Sequence, residues 1–256
     1  MKFKLTFAAA VCGVLVLAMV TLLRSRAQSL NPPQVVMHQL ASENGIVPVE
    51  ITKPVVPFES NKQVGNISFA VKNNTNKNIR SVCMAFTIRL LRGSVQSSDT
   101  FYQTFETYVN SDLQNSGRLR PILPGGEVTI TDNGSMSYED ENIITAVESS
   151  IDYVEFDDAT TLGRNVKGQV LIGRIRDGAA KYKDLLRQRC KAEANCPSAI
   201  ERIVMSEEIP GELTLPASEQ KLGARLYRDY VRRLWEDGPA SREEFVQITM
   251  WNKTAK

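Results

Sequence analysis

The sequence predicts a mainly β protein: an antiparallel two-sheet β-sandwich over residues 46–173, a helical region over 174–256 and a hydrophobic helix at the N-terminus. Three observations carry this. Apolar residues alternate with polar ones in short runs between Ile46 and Ile172, about seven strands with turn signals roughly every 10 residues. From Gly173 the period lengthens to that of a helix. Leu5 to Leu23 is an uncharged apolar run of 19 residues.

That run follows Lys2 and Lys4 and is closed by Arg24 and Arg26. As a helix it spans about 28 Å, close to the ~30 Å of a bilayer core. Two readings stay open for residues 1–27: an uncleaved anchor in the membrane through residues 5–23, or a signal peptide cleaved after Ala27. Either places the remainder outside the cytoplasm, facing the extracytoplasmic side or secreted. Residues 28–45, polar and carrying Pro32-Pro33, read as a linker.

Ile46 to Thr52 reads as a first strand, held to an edge by Pro48. The best-formed stretch is Val64 to Leu90. Ile67, Phe69 and Val71 share one face, the Asn73 to Asn78 cluster turns the chain, and Val82, Met84, Phe86, Ile88 and Leu90 share a face on the return. It reads as a hairpin, because Asn accepts turn conformations that the flanking β-branched residues do not. Gly93 to Asp99 reads as a loop and Phe101 to Val109 as a strand. Ser111 to Arg120 is turn-prone. Pro124-Gly125-Gly126 feeds a strand ending at Ile130, Val147 to Phe156 is a strand, Asp157-Asp158 a turn, and Gln169 to Ile172 a last short strand.

In the tail, Ile175, Ala179, Tyr182, Leu185, Leu186 and Cys190 recur at helical spacing. Asn195-Cys196-Pro197 caps a second helix. Leu222, Leu226, Tyr230, Leu234 and Trp235 form the stripe of a third, and Ser241 with Glu244 suggests a capping box for a fourth.

The phrases ISFAVKNNTNKNI, ILPGGEVTI and IDYVEFDDATTLG resemble the immunoglobulin-like and fibronectin-like modules of exported bacterial proteins. The resemblance covers less than half of the chain. It implies a β-sandwich and no particular activity. The chain departs from the antibody pattern in having no Trp within 46–173 and only Cys83 there, so that no disulfide joins the sheets.

The formal net charge of +2 divides unevenly: 11 basic against 16 acidic side chains over 31–173, and 16 against 13 over 174–256. Neither field suits a nucleic acid. His38, in the linker, is the one histidine, which removes Ser-His-Asp and Cys-His chemistry in their usual forms. Ser218 and Lys221 match Ser-x-x-Lys without its companion motifs, and Ser218 reads as a helix start. Asp152, Glu155, Asp157 and Asp158 crowd one strand and its turn; they suggest calcium ligation or an acid/base pair, against the ordinary reading as a solvated strand end. Cys190 and Cys196 are candidates for a disulfide, with buried thiols as the alternative. The basic-aromatic run Tyr227 to Trp235 reads as an amphipathic helix more readily than as a partner-binding face.

The sequence implies no cofactor. The function it best supports is that of an exported, membrane-anchored, non-catalytic interaction or structural module of the cell envelope, with an envelope protein as partner. The alternatives are an envelope hydrolase using Asp152 to Asp158, and a protease-inhibitor-like sandwich presenting Ser94–Thr100 or Asp112–Arg120.

Overall fold

In the computed structural model the described residues are 32–42, 44–107, 121–131, 134–139 and 141–247. The readings that fall on residues 1–31, and on the segment after Thr107 that includes Asp112–Arg120, lie outside them. Strand and helix occur in comparable amounts, 37% and 31%, so the chain is mixed α and β and not mainly β.

Eleven strands are described: β1 (Gln34–His38), β2 (Val49–Val55), β3 (Phe58–Ser60), β4 (Gln63–Val64), β5 (Ser68–Asn73), β6 (Ile79–Arg92), β7 (Val95–Glu106), β8 (Glu127–Thr131), β9 (Met136–Ser137), β10 (Ile143–Phe156) and β11 (Thr161–Leu162). The helices are α1 (Gly168–Ala192), α2 (Cys196–Val204), α3 (Ser218–Glu236) and α4 (Pro239–Phe245). The larger sheet runs β1-β10-β6-β7, with β11 on β10; a second runs β2-β5-β8 and a third β3-β4-β9. One apolar cluster draws on all three: Ile51, Phe69 and Val71 from the second, Met84, Phe86, Ile88, Val147 and Val154 from the first, and Val64 from the third.

The alternation of Val64 to Leu90 holds, but its two strands do not pair. β5 lies between β2 and β8, whereas β6 lies between β10 and β7. The asparagine cluster therefore carries the chain from one sheet to the other. Asn73 is fully buried. Its amide donates to Lys77 O (2.7 Å) and Ile122 O (2.8 Å), and its Oδ1 accepts from the Thr75 hydroxyl (2.7 Å) and N–H (3.0 Å). Asn74 donates to Val47 O at 3.0 Å. An arch satisfied by its own side chains needs no cross-strand ladder, and that wins over hairpin closure. Replacing Asn73 with alanine removes all four of these hydrogen bonds and leaves the Thr75 N–H without its acceptor, while Ile122 O keeps the Ile79 N–H (3.0 Å) and Lys77 O the Thr75 hydroxyl (3.2 Å). It is expected to cost about 2–3 kcal/mol in chemical denaturation, with an unchanged m-value.

Four further readings are corrected. Residues 34–38 of the expected linker form β1, which pairs in parallel with β10, so the larger sheet is not purely antiparallel. Val95 to Asp99 belongs to β7, which turns back on β6 at Gly93-Ser94, so Ser94–Thr100 is no free loop. Gln169 to Ile172 is the first turn of α1, and the helical region begins at Gly168 and not after 173. Ser241 lies inside α4, whose cap position is Gly238.

The helices build a second core around Tyr182, Leu186, Ile200, Tyr227, Val231 and Trp235. On α3 the inward positions are Gly223, Ala224, Tyr227, Val231 and Trp235, while Leu222 and Leu226 are 42% and 36% exposed, against the expected stripe. A Cβ built on Gly223 would lie 1.8 Å from the Ile175 carbonyl oxygen, and one on Gly178 1.9 Å from that of Gln220. α1 and α3 thus touch backbone to backbone, and closeness of approach decides which face turns inward.

Candidate functional site

The outer face of the larger sheet, away from the apolar cluster, carries the polar residues of β6 and β10. The start of α1 covers one half of it. The other half stays open and holds a pocket.

The covered half is anchored by Asp152. The register of β10 on β6 slips between Ile151 and Tyr153, leaving Asp152 as the extra residue of a bulge. The bulge turns its carboxylate out of the sheet toward the start of α1. There Oδ1 accepts the N–H of Val166 (2.9 Å), and Oδ2 those of Lys167 (3.0 Å) and Gly168 (2.7 Å). α1 has no acidic residue in its first turn and no cap hydrogen bond from its own cap residue, Lys167; the strand supplies both. About two helical turns further on, Arg176 bonds Glu155 (3.0 Å), Glu106 (3.2 Å) and the Ser81 hydroxyl (2.9 Å). Tyr153 donates to Glu155 at 3.1 Å, and burial, with the Glu155 charge, pushes that phenol up to about 12. Cys83 lies fully buried beneath the helix; burial first, and the Asp152 charge second, push its thiol up to about 12, which makes it a poor nucleophile.

The four carboxylates of the acidic strand therefore do not converge. Asp152 caps α1, Glu155 faces Arg176, Asp157 accepts from the Asn78 amide (2.8 Å) and Asp158 pairs with Lys77 (2.7 Å). Among the described residues no group of three or more His, Cys, Asp or Glu side chains is placed to hold a metal ion. Lys77 first, with the Thr160 hydroxyl and N–H, holds Asp158 well below the usual carboxylate range. Cys190 and Cys196 are joined by a disulfide that ties the end of α1 to the start of α2, where the Asn195 side chain accepts the Ser198 N–H at 3.1 Å. Ser218 opens α3, and Tyr227, Val231 and Trp235 of the basic-aromatic run are buried in the helical core.

The open half was not legible from the sequence. β1 ends at His38, level with Ser150, and β11 pairs with β10 only from Val154, so among the described residues the edge of β10 between them has no neighbouring strand. A pocket of about 310 Å³ opens there, lined by His38, Gln39, Thr87, Arg89, Glu148 and Arg164 among others. Glu148 is its centre. Arg89 grips it with a fork, Nε to Oε1 at 2.7 Å and Nη2 to Oε2 at 3.0 Å, and His38 Nε2 lies 3.2 Å from Oε2. The hydrogen bond from Arg89 holds the Glu148 carboxyl below its ordinary value against partial burial, with His38 assisting. Gln39 mimics a strand, donating to Ile51 O (2.7 Å) and accepting from Ile51 N (2.8 Å), and so fixes the chain at the pocket wall. His38, placed in a linker by the sequence, is thus a wall of this pocket.

Glu127, Glu148, Asp158 and Asp177 all lie below their ordinary values of 4.5 for Glu and 3.8 for Asp, each held first by a hydrogen bond from a basic side chain. A carboxyl whose pKa is lower in the folded chain stabilises it above the unfolded value, and that contribution is lost as pH falls through the folded value. Melting temperature is therefore expected to start falling only below about pH 4.5 and to keep falling toward pH 2, read by thermal melts at stepped pH.

Comparison with protein-family models, with curated proteins and with solved structures finds no match in any of the three.

Proposed function

We propose that this chain is an exported protein, held at the extracytoplasmic face of a membrane by residues 5–23 or released by cleavage after Ala27, that serves as a non-catalytic interaction module of the cell envelope. The observation that carries the reading is the Cys190–Cys196 disulfide, a bond that persists in oxidising compartments and is rare in the cytosol. The uncharged run Leu5 to Leu23 supports the same address. The absence of catalysis rests on the acidic strand, whose carboxylates are each engaged in holding a helix or a turn.

The finer architecture belongs to the same proposal. We read β2-β5-β8 against β10-β6-β7 as an immunoglobulin-like sandwich, supported by the core that the two sheets share and by the arch at Asn73 that crosses between them. Such a frame presents its outer sheet face and edges to partners.

The test is the intact mass of the protein from membrane and soluble fractions of its native cells, with thiols alkylated in denaturant before and after reduction. A membrane-bound chain retaining Met1, or a soluble one beginning at Gln28, is the expected result. On residues 28–256 one label is expected without reduction and three after it, from Cys83, Cys190 and Cys196. A full-length chain in the soluble cytoplasmic fraction with every cysteine labelled without reduction overturns the proposal.

A further inference from the structure

We infer that the pocket at the end of β1 binds a small molecule bearing an oxyanion, a carboxylate or a phosphoryl group. Such binding depends on the pocket alone and not on whether the chain is exported.

The charge of the lining favours an anion. Two guanidiniums, Arg89 and Arg164, line the pocket against a single carboxylate, Glu148. Glu148 is already matched by Arg89 through both of its oxygens, so the pair is close to neutral toward a third group. That leaves Arg164. No hydrogen bond or ion pair joins it to the described residues, and it stands on the exposed turn between β11 and α1, beside the uncovered edge of β10. A guanidinium without a partner on the wall of a concave site presents a planar fork suited to a carboxylate or phosphate.

Arg89 adds to it. Glu148 occupies its Nε and Nη2, while Nη1 makes no contact with Glu148. The Glu148 fork fixes the orientation of that free edge, so Arg89, although exposed, is a preorganised donor. His38 is held on the same carboxylate and supplies a second ring nitrogen. Thr87, also bonded to Thr100 at 3.0 Å, and Ser150 contribute hydroxyls to the wall.

The size limits the ligand. About 310 Å³ lies at the low end of small-molecule sites and accommodates a molecule of monosaccharide size. The lining is polar, so the ligand is hydrophilic, held by its anionic group and by hydroxyls more than by apolar contact. Buried apolar area contributes little here, and affinity rests on the two guanidiniums.

The experiment is titration calorimetry on the full chain in a neutral detergent at physiological salt, with three probes of similar size: glucuronate, glucose 6-phosphate and glucose. At least one of the two anions is expected to bind, and glucose is not. Glucuronate alone identifies the group as a carboxylate, glucose 6-phosphate alone as a phosphoryl, and both as an oxyanion of either kind. Arg164→Gln, at an exposed position with no contact to lose, is expected to weaken the binding at least about tenfold without changing the melting temperature. Arg225→Gln, which removes an arginine from the distant α3, is expected to leave it unchanged. Absence of binding by both anions at millimolar concentration, equal binding of glucose, or an affinity that survives Arg164→Gln overturns the inference.

Discussion

Gly178→Ala is expected to cost about 3 kcal/mol or more, and Gly223→Ala about the same, although alanine is the better helix former at both positions. The added methyl would sit 1.9 Å from the Gln220 carbonyl oxygen in the first case and 1.8 Å from that of Ile175 in the second. The obstacle is backbone within a helix, so no side chain can rotate away from it. α1 and α3 must part by on the order of an ångström, and the gap runs through packed groups. Tyr182, Tyr227 and Trp235 all sit in that core, and Trp235 is fully buried. Dispersion contact and burial are lost along the whole seam, which outweighs the gain of up to about 1 kcal/mol in helix propensity. The loss is expected as a fall in melting temperature of roughly 10 °C, with Trp fluorescence shifted toward that of solvent-exposed indole. Gly173→Ala is the control. It lies in the same helix with nothing within 4 Å of a built Cβ, so alanine there is expected to stabilise by about 0.5–1 kcal/mol. The double variant at 178 and 223 is expected to cost clearly less than the sum, because the first methyl already parts the helices. Equal effects at 173 and 178 would show that propensity and not contact governs the seam.

The same two glycines show where a sequence stops being informative. Apolar periodicity finds α3 but selects Leu222 and Leu226 for its inward face, because it weighs side-chain size and gives glycine none. The contact that orients the helix is made by the absence of a side chain. On the sheets the alternation Val82, Met84, Phe86, Ile88, Leu90 is legible because a strand with one buried face has a strict period of two. Which strand lies beside it is not a local property. The Asn73 to Asn78 cluster reads as a hairpin turn, and only the partners of Asn73, at Lys77 and Ile122, reveal a crossing between sheets. β1 is illegible for another reason: all its residues but Val36 are exposed, so neither face of the strand demands an apolar alternation. The pocket joins His38, Arg89, Glu148 and Arg164, which are far apart in the chain and belong to no motif. Topology alone brings them together.

Asp152→Asn is expected to cost about 2–4 kcal/mol, and its effect separates a structural carboxylate from a catalytic one. Asp152 is 4% exposed and receives three consecutive backbone N–H groups at the entry to α1. An asparagine keeps one oxygen, but its amide turns a donor toward donors and removes the negative charge from the positive end of the helix. Gly168 makes the joint unforgiving: a Cβ there would lie 2.3 Å from that of Tyr153, so the first turn of α1 has no room to slide and find new partners. The expected outcome is a loosened joint, with the start of α1 lifting from the outer face of the sheet while the apolar cluster persists. Cys83 reports it. Wholly buried under α1, with its thiol pushed up by burial and by the Asp152 charge, it is expected to resist alkylation in the native chain. In Asp152→Asn two effects act together, since the neighbouring charge is gone and local opening exposes the sulfur. Alkylation is therefore expected to accelerate at least about tenfold, more than for Asp157→Asn, whose contact to Asn78 lies at the exposed end of the strand. A catalytic carboxylate would show the reverse pattern, with activity lost and both stability and Cys83 protection retained. Unchanged melting and unchanged alkylation in Asp152→Asn would refute the capping role and return the acidic strand to chemistry.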